Sequence, residues 1–136
     1  MLTRANPMTS FLSPLLQSGG SSFALTNTRH HQIVARTLLT AFDSKSRRKG
    51  LLGHDFLPEG TVLIIAPSQA IHTFSMRFEI DVAFVSKDGV VLKIRQAMPP
   101  RRIAVSWRAF AVIELPAGAL EASDTKPGDR LQIEGR

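Results

Sequence analysis

A stretch in the middle of the chain, residues 71–85, alternates between apolar and polar side chains. Alternation with a period of two is typical of a β-strand that buries one face. The pattern predicts an inward row of Phe74, Met76, Phe78, Ile80, Val82 and Phe84 and an outward row of Thr73, Ser75, Arg77, Glu79 and Asp81. His72 falls in the inward row, so we expect its ring to be at least partly buried.

The length of this stretch implies an interruption. At about 3.3 Å per residue, one strand over 71–85 would measure roughly 50 Å, which is too long for a small domain. We therefore expect a break near residues 77–79. The next segment, Lys87-Asp88-Gly89, predicts a hairpin turn, because Asp-Gly tolerates the positive φ angles of tight turns. A further strand is expected after it, over residues 90–97.

Other short apolar runs, bounded by Pro and Gly, predict strands at 23–27, 32–36, 61–66, 109–115 and 130–134. Residues 41–49 instead favour a helix, with Thr40 as N-cap and Asp43 in an acidic form of the capping box. The last turn of this helix is basic, which matches the helix dipole, and Gly50 can end it. The pattern predicts a mainly β fold, sandwich or barrel-like, with one short α-helix in a single compact domain.

Composition agrees with one globular domain. The chain has 136 residues, and its hydrophobic (43%) and charged (21%) fractions are near those of ordinary soluble proteins. The absence of Cys excludes disulfides, thiolate nucleophiles, zinc-thiolate sites and iron-sulfur clusters. No apolar run approaches the roughly 20 residues that cross a bilayer, so no transmembrane segment is expected.

We divide the chain into an N-terminal extension, residues 1–22, and a single mainly β domain, residues 23–136. The extension is rich in Ser and nearly uncharged, and a short turn capped by Ser13 and Pro14 is expected in it. An export signal over residues 1–24 is the other interpretation, but Arg4 is the single positive charge there and 22–24 is a poor cleavage site. We therefore expect a cytoplasmic protein, with export as the alternative.

The net charge is +6, and basic residues gather at the end of the predicted helix and after a Pro-Pro pair. These residues are Lys45, Arg47, Arg48, Lys49, Arg101 and Arg102. Such groups favour phosphates, so a basic nucleic-acid-associated protein of the transcription-regulator type is one hypothesis. We do not favour it, because Tyr is absent, Trp107 is the single Trp, and basic residues at a helix end also match the dipole.

Several motifs occur together in a fixed order. They are Arg47-Arg48-Lys49-Gly50-Leu51-Leu52-Gly53, Ala66-Pro67, Ile71-His72-Thr73-Phe74 through Met76-Arg77-Phe78 to Ile80-Asp81-Val82, Asp88-Gly89, Glu114-Leu115-Pro116-Ala117-Gly118 and Gly128-Asp129-Arg130-Leu131. With these motifs the chain resembles, over residues 34–133, the family called domain of unknown function 192. The resemblance implies a compact, mainly β sandwich or barrel-like fold with a short helix, and no known activity.

The chain departs from the family pattern at two positions. Members often carry Cys where this chain has Ser68, and Pro where it has Glu79. The first difference removes any thiol-based proposal. The second places a charge where a rigid break of the strand is expected.

Five polar residues are candidates for a binding site: His72, Thr73, Arg77, Asp81 and Glu114. Charges set beside a β core could form a preorganised pocket. Each residue also has a purely structural interpretation. The ring of His72 could lie in the core and bond to a backbone carbonyl, and Arg77 could form an ion pair with Glu79 or Asp81. Glu114 lies in an apolar run and needs a partner if it faces inward, such as Arg77 or a backbone turn.

The expected function is that of a non-enzymatic soluble binding module with a polar pocket beside residues 72–81. Its partner would be an unknown small ligand or protein. No metal site or cofactor is predicted, because the His residues lack zinc spacings and no Gly-rich phosphate loop is present. A hydrolase using His72 and Asp81 is the third hypothesis, although the chain has no Gly-x-Ser-x-Gly elbow.

Overall fold

The structure is a computed structural model that describes residues 9–17, 22–74 and 76–135. In these ranges it has ten strands and three short helices. The strands are β1 Phe23–Asn27, β2 Gln32–Ala35, β3 Thr37–Ala41, β4 Thr61–Ile65, β5 Ala70–His72, β6 Ile80–Val85, β7 Val91–Met98, β8 Ile103–Val105, β9 Ala111–Pro116 and β10 Leu131–Gly135. The helices are α1 Ser13–Gln17, α2 Ser44–Lys49 and α3 Ala119–Ala122. The protein is mainly β and forms one compact domain, as predicted.

The described strands form three sheets. A five-stranded sheet has the order β3-β4-β9-β6-β7, a three-stranded sheet has the order β10-β1-β2, and β5 pairs with β8 in a two-stranded ribbon. Neighbours are antiparallel except β3 and β4, which run parallel and are joined by a crossover that contains α2. The sequence did not predict β3 and β8 as strands.

The five-stranded sheet is covered on both faces, which we call the sandwich face and the ribbon face. The sandwich face packs against the three-stranded sheet, and its core includes Leu25, Val62, Ile64, Ala83, Ile113, Leu115 and Ile133. The ribbon face packs against the β5–β8 ribbon and the chain after α2, and its core includes Leu51, Leu63, Ile65, Ile71, Met76, Val82, Phe84 and Val112. Because successive side chains of a strand alternate between faces, any ionisable residue in the central strands must enter one of these two cores.

The alternating stretch forms two strands, β5 and β6, separated by residues 73–79, so the predicted break is present but wider. The predicted rows are wrong before the break, where His72 and Phe74 are exposed whereas Ile71 and Thr73 are buried. The reason is the pairing of β5 with β8, which places Ile71 beside Ala104 in the ribbon-face core. The predicted rows are also wrong at Asp81, which was placed in the outward row but is fully buried. The prediction for Ser75 lies outside the described residues.

Helix α2 begins at Ser44, later than predicted, because Thr40 belongs to β3 and Asp43 is the N-cap. The Asp43 carboxylate accepts hydrogen bonds from the backbone N–H of Ser46, at 2.7 Å, and from its hydroxyl, at 2.8 Å. These bonds lower the pKa of Asp43. Gly50 ends the helix, as expected. The fold also has α1 and α3, in addition to the single predicted helix.

The described part of the N-terminal segment packs on the domain. Leu12 is 2% exposed and belongs to the sandwich-face core. The backbone N–H of Phe11 donates to the carbonyl of Lys87 at 2.9 Å. Residues 1–8 and 18–21 lie outside the described ranges, so the division of the chain at residue 22 stays a prediction.

A polar cluster, the Asp129 latch, joins the β1–β2 hairpin to the turn before β10. The Asp129 carboxylate accepts from Arg29 Nε at 2.7 Å, from Asn27 Nδ2 at 2.8 Å and from the backbone N–H of Lys126 at 2.9 Å. The hydrogen bond from Arg29 is the main reason that the pKa of Asp129 lies well below its usual range. The latch therefore stabilises the three-stranded sheet at the end where the β1–β2 hairpin lies beside the turn before β10.

Candidate functional site

Glu114 lies on β9, the central strand of the five-stranded sheet, between Leu63 of β4 and Val82 of β6. Both neighbours belong to the ribbon-face core, and Glu114 itself is 3% exposed. In the described ranges no hydrogen bond or ion pair joins its carboxyl group to another residue. Burial disfavours the charged form and raises the pKa of Glu114 to about 7. Neither of the two partners considered from the sequence, Arg77 and a backbone turn, bonds to this carboxyl in the described ranges, and Arg77 pairs with Asp55 instead.

The Glu114 carboxyl faces a cavity of about 660 Å³, which we call the Glu114 cavity. Ligand sites in proteins typically measure roughly 300–1,000 Å³, so this volume suits a small molecule. Part of the wall is apolar and belongs to the ribbon-face core, with Leu51, Ile65, Ile71 and Met76. The cavity therefore combines one buried acid with a hydrophobic surface.

The end of α2 gives this cavity its basic side, through Arg47, Arg48 and Lys49. Arg47 is already engaged, because its guanidinium donates to the carbonyl of Phe42 at 2.8 Å and to Ser44 Oγ at 3.4 Å. Arg48 and Lys49 are exposed and have no hydrogen-bond or ion-pair partner among the residues that the structure describes. Two cationic groups are thus available at the cavity.

Gly50 brings this helix end against the buried acid. Its φ angle is +48°, a conformation that side chains with a β-carbon rarely adopt. A β-carbon at this position would lie 3.8 Å from Glu114 Oε1. The positive φ angle at the end of α2 favours glycine, and this glycine lies next to the Glu114 carboxyl group.

His72 and Phe74 also line the cavity. Both are exposed, and their ring centroids are 5.6 Å apart with an interplanar angle of 41°. His72 is therefore a residue of the cavity rim and not of the core. Two of the five residues predicted to bind a ligand, His72 and Glu114, do share one cavity.

Thr73 and Arg77 are not among the cavity residues. Thr73 is fully buried, and its hydroxyl donates to the carbonyl of Pro99 at 2.7 Å and accepts from the backbone N–H of Arg102 at 2.9 Å. Arg77 forms an exposed ion pair of 2.6 Å with Asp55, instead of the predicted pair with Glu79 or Asp81. Each of the two side chains joins separate loops, and neither belongs to the candidate site.

Asp81 is also outside the Glu114 cavity. It is fully buried, and its carboxylate accepts three backbone N–H groups: Ala97 at 2.8 Å, Leu120 at 3.0 Å and Gly118 at 3.1 Å. Ala97 has a positive φ in the bulged part of β7, and Gly118 is the N-cap of α3. Asp81 therefore joins a β-bulge to a helix start, which is a structural role.

The six basic residues proposed for nucleic acid separate into two groups. Arg47, Arg48 and Lys49 line the Glu114 cavity, whereas Lys45, Arg101 and Arg102 do not. The sequence interpretation assigned the helix end and Glu114 to different hypotheses, and the fold brings them together. Nothing in the local sequence indicates this contact, because residues 50 and 114 are far apart along the chain.

Two other clefts occur in the described part of the surface, of about 580 Å³ and 410 Å³. The ionisable residues that line them, Arg36, Glu59 and Lys87, are not buried. The Glu114 cavity differs from both in containing a buried carboxyl group.

Comparison with known proteins identifies the family. The family model DUF192, described as Uncharacterized ACR, matches residues 24–133, which is most of the chain. The chain belongs to the DUF192 family. No curated protein shows significant similarity to this DUF192 chain. Within the described residues, no helix has the length and hydrophobicity needed to cross a membrane.

Two solved structures share the fold of this DUF192 protein. One is a protein of unknown function from Novosphingobium aromaticivorans, with 22% identity, a TM-score of 0.70, and coverage of 82% of this chain and 83% of that one. The other is a Sinorhizobium meliloti protein described as a "putative transcription regulator", with 21% identity, a TM-score of 0.71, and coverage of 85% of this chain and 92% of that one. At these identities the likeness establishes the fold alone.

Proposed function

We propose that this DUF192 protein is a non-enzymatic binding module that holds a small polar ligand in the Glu114 cavity. The observation that carries the proposal is the position of Glu114: the residue is only 3% exposed, its carboxyl bonds to no described residue, and it lines that cavity. A carboxyl group with little access to water is poorly solvated when charged, and a ligand that donates a hydrogen bond to it supplies the missing interaction. A residue that weakens the free protein but completes a ligand site is typical of a functional position.

Binding is favoured over hydrolysis because the two residues of the hydrolase hypothesis have different surroundings. Asp81 already accepts three backbone N–H groups, so its carboxylate is not available to orient a catalytic His. His72 is on the rim of the Glu114 cavity, which Asp81 does not line. The pair lacks the acid–base contact that this mechanism requires.

The proposal is tested by thermal-shift screening of small metabolites against the wild-type protein and Glu114→Gln. A ligand at 100 times its dissociation constant adds about 2.7 kcal/mol of stability. Hits should shift the wild-type melting temperature more than that of Glu114→Gln. The matched control is Glu134→Gln, an exposed position on β10, which should respond as the wild type does. Hits that stabilise Glu114→Gln equally well would contradict the proposal.

Nucleic-acid association is the second candidate. Arg48 and Lys49 are exposed and unpaired among the described residues, and the Sinorhizobium meliloti protein of similar fold is described as a "putative transcription regulator". It predicts that Lys45→Ala weakens binding to duplex DNA as much as Arg48→Ala, since phosphate contacts add over the whole basic surface. Glu114→Gln should then have no effect. Gel-shift titration across salt concentrations measures these differences. The cytoplasmic location favoured by the sequence also stays a prediction, which cell fractionation would test.

A further inference from the structure

We propose that the ligand is a small organic acid with an apolar body, whose carboxylate is bound by Arg48 and Lys49 and whose hydroxyl or ammonium group donates to Glu114. This inference rests on the proposed function and specifies the class of molecule that the cavity accepts. It follows from three features of the cavity: its basic side, its buried acid and the apolar wall.

The basic side favours an anionic group. Arg47 is used by its own helix start, but Arg48 and Lys49 are unpaired in the described ranges and line the same cavity. An ammonium and a guanidinium together bind a carboxylate through charge-assisted hydrogen bonds. The negative end of the α2 dipole only partly offsets them, because each basic side chain carries a full charge and the dipole about half of one.

The buried acid selects the second polar group of the ligand. An ionised Glu114 carboxylate accepts hydrogen bonds only, so it pairs with a hydroxyl or an ammonium and repels a second carboxylate or a phosphate. Because burial raises its pKa to about 7, the group can also be protonated, and it then still accepts from a hydroxyl through its carbonyl oxygen. In its ionised form Glu114 therefore disfavours simple dianions.

The apolar wall defines what lies next to these two groups. Leu51, Ile65, Ile71 and Met76 line the cavity together with Glu114, and all four belong to the ribbon-face core. An apolar side chain of the ligand would remove this surface from water. Aliphatic or aromatic 2-hydroxy acids and 2-amino acids combine the three required features.

The test uses ligands of equal shape that differ in one group each. The set is leucine, 2-hydroxy-4-methylpentanoate, 4-methylpentanoate and leucine amide, with the corresponding phenylalanine set for a larger body. Calorimetric titration should show binding of the amino or hydroxy acid. The compound without the donor and the compound without the carboxylate should bind at least about tenfold more weakly, as expected for one lost charge-assisted hydrogen bond.

Variants link each group of the ligand to one side chain. Arg48→Ala and Lys49→Ala should weaken the acids by about tenfold each and leave the amide unchanged. Lys45→Ala, on the same helix but outside the cavity, is the matched control. Glu114→Gln should reduce the preference for the amino or hydroxy acid over 4-methylpentanoate, a selectivity that a purely structural role would not change.

The outcomes separate this inference from the proposed function. Equal binding of leucine amide would overturn the role of the carboxylate, and equal binding of 4-methylpentanoate would overturn the role of Glu114 as an acceptor. No binding by either set, while other compounds from the screen bind in a Glu114-dependent manner, would overturn the ligand class but leave the binding module intact. Ligands that are all insensitive to Glu114→Gln would overturn both.

Discussion

Asp81 and Glu114 are buried carboxyl groups on neighbouring strands of one sheet, yet their surroundings are opposite. In the register of β6 and β9, Asp81 is opposite Leu115 and Glu114 is opposite Val82, so the two carboxyls point to different faces. Asp81, on the sandwich face, accepts three backbone N–H groups. Glu114, on the ribbon face, has no partner in the part of the chain that the structure describes.

The difference indicates which acid serves the fold and which is available for a ligand. The donors to Asp81 are backbone groups of the β7 bulge and of the start of α3, so they are present whenever the protein is folded. Glu114 faces an open cavity with unpaired cations at its edge. Folding therefore uses one carboxylate completely and leaves the other without a partner.

The largest expected effect is that of Asp81→Ala. Removing the carboxylate leaves three N–H groups without an acceptor in a buried site, which should cost about 3–5 kcal/mol of unfolding free energy. Urea denaturation measures this loss. Asp81→Asn, which keeps one acceptor oxygen, should cost about half as much. A loss below about 1 kcal/mol for the Ala variant would remove the contrast with Glu114.

Glu114→Gln should increase the unfolding free energy at neutral to alkaline pH, whereas Asp81→Ala lowers it. The pKa of Glu114 is about 7 in the folded protein and 4.5 when exposed, so the folded state binds the proton more tightly. Its contribution is therefore most favourable below pH 4.5 and is lost as pH rises to 7, a change of about 3 kcal/mol. Glu114→Gln lacks this loss, so it should be more stable than the wild type at pH 8 and similar at pH 4.

Denaturant titrations at several pH values give both curves. Glu134→Gln, at an exposed position, should follow the wild-type profile. Parallel profiles for the wild type and Glu114→Gln would show that the acid is not buried and unpaired in solution.

Asp129 is a third buried carboxylate, and most of its hydrogen-bond donors are side chains rather than backbone N–H groups. Asp129→Asn should cost about 1–2 kcal/mol, because the amide cannot accept from Arg29, Asn27 and the Lys126 N–H together. The folded-state pKa is lowered, so this stabilisation is present above pH 3.8 and is lost as pH falls further. Thermal unfolding between acid and neutral pH measures it. Asp88→Asn, in an exposed turn, is the control and should change little.

The smallest effect is expected for His72→Ala. Because His72 is exposed at the cavity rim, its removal should cost less than about 1 kcal/mol. The neighbouring Ile71→Ala should cost about 2–4 kcal/mol, since Ile71 is 8% exposed in the ribbon-face core. Chemical denaturation of the two variants side by side tests which face of β5 is buried. If His72→Ala lost more unfolding free energy than Ile71→Ala, His72 would be the buried residue, as the alternation predicts.

Much of the local structure could be predicted from the sequence. Asp88-Gly89 predicts its hairpin because only certain residues accept a positive φ, and Gly89 has φ +87°. The end of α2 at Gly50 and the strands β1, β4 and β10 follow from similarly local signals. The start of α2 was misplaced because Thr40 and Asp43 are both good capping residues, and pairing of β3 with β4 decided between them.

The candidate site was only half predictable. An ionisable residue within the apolar run of β9 singles out Glu114, since such a run is normally buried. Its missing partner could not be predicted, because Asp81 breaks its own apolar run in the same way and is fully satisfied. Whether His72 is exposed or buried depends on the pairing of β5 with β8. The sequence did not predict β8, so the exposure of His72 could not be predicted either.

The sequence by itself determined the mainly β class, the turns and the basic end of α2, because these depend on periodicity and on the conformational limits of single residues. The tertiary structure decided which of two similar carboxyls is satisfied and which faces a cavity. That distinction depends on backbone N–H groups and helix ends supplied by distant segments, which sheet pairing alone brings within hydrogen-bond distance. It also brought the end of α2 to Glu114, and this contact creates the candidate site.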